Sequence, residues 1–168
     1  MKLNNNVILI GMPGVGKSTA GVILAKILGY KFIDTDLVIQ EHEHKRLSEI
    51  IAAEGIDGFL RIENKIVSEL EAESSVIATG GSVIYGSDAM KKLKSLGKVV
   101  YLSLDYRKLR YRLGNIKNRG VIIREGQRLI DLYNERIPLY AKYADIIIDE
   151  NGRNIEKTVK KTVEMLNL

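Results

Sequence analysis

Five short apolar runs punctuate the chain: Val7–Ile10, Lys31–Ile33, Ser75–Ala78, Val99–Leu102 and Ile146–Ile148. Four of them are rich in β-branched residues and nearly continuous in apolar character, the pattern of strands buried on both faces. Between them the apolar positions recur with helical spacing. Ala20, Ile23 and Ile27 form one stripe and stop at Gly29, a fitting C-terminal residue. Phe59, Ile62, Ile66 and Leu70 form a second, and Ile155, Val159, Val163 and Leu166 a third. Strands that alternate with helices of this length predict right-handed βαβ units. The expected fold is three-layer α/β, with a five-stranded parallel sheet flanked by helices. The stretch from about 105 to 128 fits least, because glycines and dense charge break its periodicity.

Length and composition narrow this further. A chain of 168 residues can bury a real core, and without repeats or a Pro/Ser-rich linker it reads as one domain, 1–168. No apolar run approaches the ~20 residues of a membrane span. The apolar stretch near the N-terminus is short and ends in glycine, so no signal peptide is expected. With no cysteine there are no disulfides and no thiolate metal site, and a cytoplasmic monomer is the expectation. The net charge of +5 suits anionic partners without selecting one.

Gly11-Met-Pro-Gly14-Val15-Gly16-Lys17-Ser18 matches G-x-x-x-x-G-K-[ST] in full, and Thr19 follows. It comes directly after a predicted strand and opens a predicted helix, as a phosphate-binding loop must. The glycines let the backbone aim its N–H groups inward, and the helix N-terminus adds its positive end. Lys17 is expected on the β- and γ-phosphates of ATP and the Ser18 hydroxyl on Mg²⁺. No N-K-x-D motif is present to select guanine, so the size points to a small-molecule or nucleotide kinase.

The second strand ends in Asp34-Thr-Asp36, two carboxylates at the carboxyl edge of a parallel sheet, where such folds bind ligands. Together with Gly80-Gly81, the basic segment and Arg136-Ile-Pro-Leu-Tyr140, this resembles the shikimate kinase family of P-loop enzymes over nearly the whole chain. The resemblance implies ATP-dependent phosphorylation of a small hydroxylated, carboxylate-bearing substrate, most simply shikimate to shikimate 3-phosphate. It makes Asp34 the metal-side carboxylate, with Ser18. Asp36 becomes the substrate-side carboxylate that assists attack. Asp36 also stands where a helix starting near Leu37 would take its cap, and the two roles are compatible. Gly80, Gly81 and Arg136 face the substrate, the last as a carboxylate anchor. Segment 36–73 is the substrate-binding part and segment 112–128 a mobile lid, whose Arg119 closes on the triphosphate. Arg153, after the last strand, is placed against adenine.

Three positions depart from the family pattern. Gly55-Ile-Asp-Gly-Phe59-Leu60-Arg61-Ile-Glu63 aligns with G-E-x-x-F-R-x-x-E, but the arginine that meets the substrate carboxylate is Leu60. Arg61 is a candidate to replace it, although one helical step is a rotation of about 100°. Ser82 stands for a third glycine, and Gly120 for a proline beside Arg119. Such changes leave open an acceptor other than shikimate. The paired carboxylates disfavour a nucleoside-monophosphate kinase. Between Tyr106 and Arg128 eight basic residues face one acidic residue. A nucleic-acid footprint there is disfavoured by the scarcity of aromatics for stacking.

Overall fold

The computed structural model describes residues 5–114 and 121–168. Its core is a five-stranded sheet in the order β2-β3-β1-β4-β5, with every neighbouring pair parallel. The strands are β1 (Asn6–Ile10), β2 (Lys31–Asp34), β3 (Ser75–Ala78), β4 (Gly97–Ser103) and β5 (Ile146–Asp149). All five apolar runs are therefore strands. β1 and β3 are buried along their whole length, but the two edge strands are not. Ile147 is half exposed because β5 has a neighbour on one side only, which an apolar run in the sequence does not reveal.

Among the described residues seven helices connect the strands: α1 (Lys17–Leu28), α2 (Thr35–Glu43), α3 (Leu47–Ser68), α4 (Ser87–Leu96), α5 (Tyr106–Leu113), α6 (Leu129–Tyr143) and α7 (Ile155–Leu166). None of them is long and apolar enough to cross a membrane. α1 buries Ala20, Gly21, Leu24 and Ala25, whereas Ile27 of the expected stripe is 60% exposed. Gly21 lets α1 lie against β2, since a Cβ there would stand 2.6 Å from the Phe32 ring. The stretch 105–128 opens with α5, a helix the sequence periodicity did not show.

Two features carry the acceptor side. α2 and α3 enclose a small apolar cluster of their own, Ile39, Ile50, Phe59 and Ile66, with Leu60 and Ile122 packed on it. α3 is broken at Gly55, whose φ of 70° only glycine adopts without strain. The break re-aims the second half of α3, which bears Phe59, Leu60 and Glu63.

At the amino end of the central strand β1, buried Asn6 ties three segments together. Its Nδ2 donates to the Ala72 and Leu96 carbonyls at 3.0 and 2.9 Å, and its Oδ1 accepts from the Ser75 N–H at 2.9 Å. Asn6→Ala strands these groups and should cost about 2–4 kcal/mol. The expected reading is a lower urea midpoint with an unchanged m-value; an unchanged midpoint would show that water satisfies them instead.

Candidate active site

The loop between β1 and α1 cradles an anion by construction. Gly14 and Gly16 take φ of 81° and 107°, which lets successive N–H groups turn inward. Gly16 caps α1 without any side-chain hydrogen bond, so the first N–H groups of the helix face the cleft unclaimed. Lys17 is 8% exposed and lies back across its own loop, donating from Nζ to the Gly11 and Met12 carbonyls at 2.7 and 2.9 Å. Burial brings its pKa down to about 8, against the pull of Asp36. Ser18 and Thr19 line the cleft, while Val15 is buried beneath it.

The end of β2 and the first turn of α2 deliver the two aspartates. Asp34 caps α2: its Oδ1 accepts the Asp36 N–H at 3.0 Å, and its Oδ2 accepts the Ser18 hydroxyl at 3.0 Å. The cap is thus Asp34 rather than Asp36, because α2 begins at Thr35 and not near Leu37. That leaves the Asp36 carboxylate free to face a cleft of about 370 Å³, which it shares with Lys17, Ser18, Gly80 and Gly81. Burial first, and the nearby Asp34 second, raise the pKa of Asp36 to about 6. Gly80 and Gly81 form bare wall there. A Cβ on Gly80 would stand 2.8 Å from Asp36 Oδ1, and one on Gly81 2.7 Å from the Pro13 ring.

Beyond Asp36 the cleft narrows into a recess reaching Phe59, Ser82, Ile122 and Arg136. Arg136 is 1% exposed and makes no ion pair among the described residues. It donates from Nε to the Tyr85 hydroxyl at 3.4 Å and from Nη2 to the Ile122 carbonyl at 3.2 Å, and stands 5.4 Å over the Tyr85 ring. The adjacent Glu135 makes no direct ion pair with it: its oxygens accept from the Tyr85 hydroxyl at 2.6 Å and from Gln127 at 3.0 Å, so Tyr85 stands between the two charges. A buried guanidinium so held is a receptor for an anion.

Glu63 is the residue that sequence reasoning left without a role. It is 2% exposed, and its Oε2 accepts from Ser82 Oγ at 2.7 Å. Its Oε1 has no partner among the described residues and, like Asp36 Oδ1, stands within 2.9 Å of where a Cβ on Gly80 would lie. The signal for it was a carboxylate on an apolar helical stripe, four residues after Phe59 and three before Ile66. Ser82 is thereby explained: its hydroxyl engages a buried carboxyl rather than standing in the cleft as a bare obstruction.

Other candidates lie apart. Arg61 is exposed and does not line the recess, a correction that follows from its rotation away from the face carrying Leu60. Arg153 donates to the Asp149 carbonyl at 2.7 Å, at the carboxyl end of β5 and away from the cleft lining. Arg119 and Gly120 lie outside the described residues, and the beginning of the expected lid, 112–113, is the last turn of α5. Arg112, unremarked in the sequence beyond its charge, donates to the Val15 carbonyl of the phosphate loop at 3.0 Å.

A cleft that grips phosphate at one end and presents an unneutralised guanidinium at the other is built to move a phosphoryl group onto a small anionic acceptor. Fold and cleft together define a P-loop small-molecule kinase. The family model for shikimate kinase matches residues 13–167. A shikimate kinase of Francisella tularensis subsp. holarctica is 38% identical over 160 residues, covering 93% of this chain and 91% of its own. One from Nitrosomonas europaea is 36% identical over 165 residues, covering 96% and 78%. The solved structure of the Acinetobacter baumannii shikimate kinase in complex with shikimate superposes with a TM-score of 0.89 at 32% identity, covering 99% of this chain and 94% of its own. The chain belongs to the shikimate kinase family, and it is an ATP-dependent small-molecule kinase.

Burial, chiefly, raises the pKa of Glu63 from 4.5 to about 7. Between those values the folded protein holds a proton the unfolded chain has released, so stability falls as pH rises through that window. Glu63→Gln removes this slope. Thermal unfolding at about pH 5 and about pH 8 should show a smaller loss for the variant than for the unmodified protein, and equal losses would contradict the assignment.

Proposed function

We propose that this kinase phosphorylates shikimate at its 3-hydroxyl, giving ADP and shikimate 3-phosphate. The observation that carries the reading is Arg136: a fully buried cation, without an ion-pairing partner among the described residues, lining a recess that Asp36 also lines. On this reading the acceptor carboxylate takes the Arg136 donors that Tyr85 and Ile122 leave open, and the acceptor ring lies against the bare backbone of Gly80 and Gly81. The attacking hydroxyl then reaches Asp36.

The chemistry asked of the protein is modest: position, neutralise, and take one proton. The acceptor oxygen attacks the γ-phosphorus of ATP in line, the bond to the bridging oxygen breaks, and the hydroxyl proton passes to Asp36. With a pKa of about 6, Asp36 is mostly ionised near neutrality yet more basic than an ordinary aspartate. Lys17 exchanges its loop carbonyls for phosphate oxygens, and Arg119 is assigned to the same charge from the lid, 112–128.

Ser18 Oγ and Asp34 Oδ2, which meet at 3.0 Å at the edge of the loop, are the oxygen ligands Mg²⁺ favours when phosphates complete its shell. They would hold it, and it would supply charge neutralisation on the β- and γ-phosphates. Among the described residues no cluster of three or more acidic, His or Cys side chains forms a cage of its own. We assign the enzyme to the cytoplasm as one kinase unit in which 36–73 binds the acceptor.

Shikimate-dependent ADP release tests the reading. Asp36→Asn should lower kcat by about 10²–10⁴-fold with ATP binding near normal, since only proton acceptance and hydroxyl orientation are lost. Arg136→Met should raise KM for shikimate by about 100-fold, the loss expected when a buried charge pair forfeits one partner. Saturable turnover of other hydroxy acids with none of shikimate would refute the substrate; collapse of ATP affinity in Asp36→Asn would reassign Asp36 to the metal.

A further inference from the structure

We infer that Arg124 supplies the second guanidinium for the acceptor carboxylate, taking over from the opposite wall the contact that Leu60 cannot make. The inference rests on the shikimate reading above and concerns which residues read its carboxylate.

A cavity beside Arg136 is lined by Arg136, Leu60, Ile122, Tyr85 and Arg124 together, with Glu135, whose oxygens accept from Tyr85 and Gln127, also on its wall. Two arginines thus border one space, and Leu60 is part of its wall. The chain is led there by Arg136 itself. Its Nη2 donates to the Ile122 carbonyl at 3.2 Å, which docks segment 121–124 over the buried guanidinium and brings Arg124 to the rim two residues later.

The head of Arg124 is already placed. Its Nη2 donates to Asp57 Oδ1 at 2.6 Å, on α3 one turn before Leu60. Side chains on a helix lean toward its N-terminus, so a residue covers the turn preceding its own Cα. An arginine at position 60 would therefore carry its guanidinium over residues 56–57, where the Arg124 guanidinium stands now. The backbone origin differs, but the charge lies over the same turn.

Asp57 does not exhaust Arg124. The guanidinium has five N–H donors, and one face of it is engaged by Asp57, leaving the others for a planar carboxylate. The pair is more than half exposed on both sides, so little is lost if Arg124 turns toward the recess. Arg61, the neighbour in sequence, also acts on Asp57, but it is not among the residues that line the cavity. Asp57 on this account is a positioning residue acting through Arg124.

The test pairs a protein change with a ligand change: kcat and KM are measured for shikimate and for its methyl ester, which lacks the anion. Arg124→Ala should raise KM for shikimate by about 10–100-fold, the range for losing a hydrogen bond to a charged group, with KM for ATP unchanged. On the ester, Arg124→Ala and the unmodified enzyme should agree within about twofold, a coincidence that a merely structural role for Arg124 would not produce. Leu60→Arg should recover most of the shikimate KM in the Arg124→Ala background. Asp57→Asn should raise that KM severalfold alone and not at all in that background. If the unmodified enzyme turns over shikimate and Arg124→Ala matches it, the inference falls while the substrate assignment stands. If the unmodified enzyme refuses shikimate, both fall.

Discussion

A guanidinium held at 1% exposure, with no ion-pairing carboxylate among the described residues, is the constraint around which this protein is arranged. Removing such a charge from water is expensive, and the fold offsets the expense only in part. It offers Arg136 a hydroxyl, a carbonyl and an aromatic face rather than an anion. The surrounding structure serves that arrangement. Tyr85, from the turn after β3, supplies both the hydroxyl and the ring, while its own hydroxyl donates to Glu135. Tyr140, one turn beyond Arg136, donates to the Gly81 carbonyl at 2.6 Å and pins the glycine wall to α6. On the proposed reading, this recess is preorganised for the anion that the acceptor brings.

Across the cleft the same scarcity of water sets the chemistry. Lys17, Asp36 and Glu63 all lie in or beside it, and burial is the largest influence on each: it brings the lysine down to about 8 and the two acids up to about 6 and about 7. Groups drawn this close to neutrality exchange protons readily, and each is poised for a partner that arrives with substrate. Lys17 leans on loop carbonyls that phosphate would displace. Glu63 Oε1 and Asp36 Oδ1 converge on Gly80, both within 2.9 Å of where a Cβ would stand. The family arginine pattern is altered in this chain, but the charge logic is kept: an anion acceptor end, a carboxylate end and a phosphate cradle in line.

What the sequence discloses depends on whether the relevant neighbours are local. The phosphate loop is legible because its glycines, Lys17 and Ser18 are contiguous and lie between a strand and a helix. β1, β3 and β4 are legible because central parallel strands are apolar on both faces. Ile27 and Ile147 mislead for one reason: periodicity marks an apolar stripe without saying whether another element covers it. The capping role of Asp34 hangs on where α2 begins, which is a matter of two residues. Glu63 is obscure because its meaning depends on a kink at Gly55 and on Ser82, nineteen residues away. Arg124 is obscure because it reaches Asp57 across sixty-seven positions. No spacing rule carries contacts of that range.

The central claim is that an anionic acceptor completes a buried, unneutralised site, and calorimetric unfolding of the unmodified protein without nucleotide tests it most directly. A ligand that binds only the folded state raises its stability by RT ln(1 + [L]/Kd), about 2.7 kcal/mol at a hundredfold excess over Kd. Saturating shikimate should therefore raise Tm by several degrees, while shikimate methyl ester at the same concentration should leave it nearly unchanged. Equal stabilisation by acid and ester would contradict the account, because Arg136 would then have no part in choosing what binds.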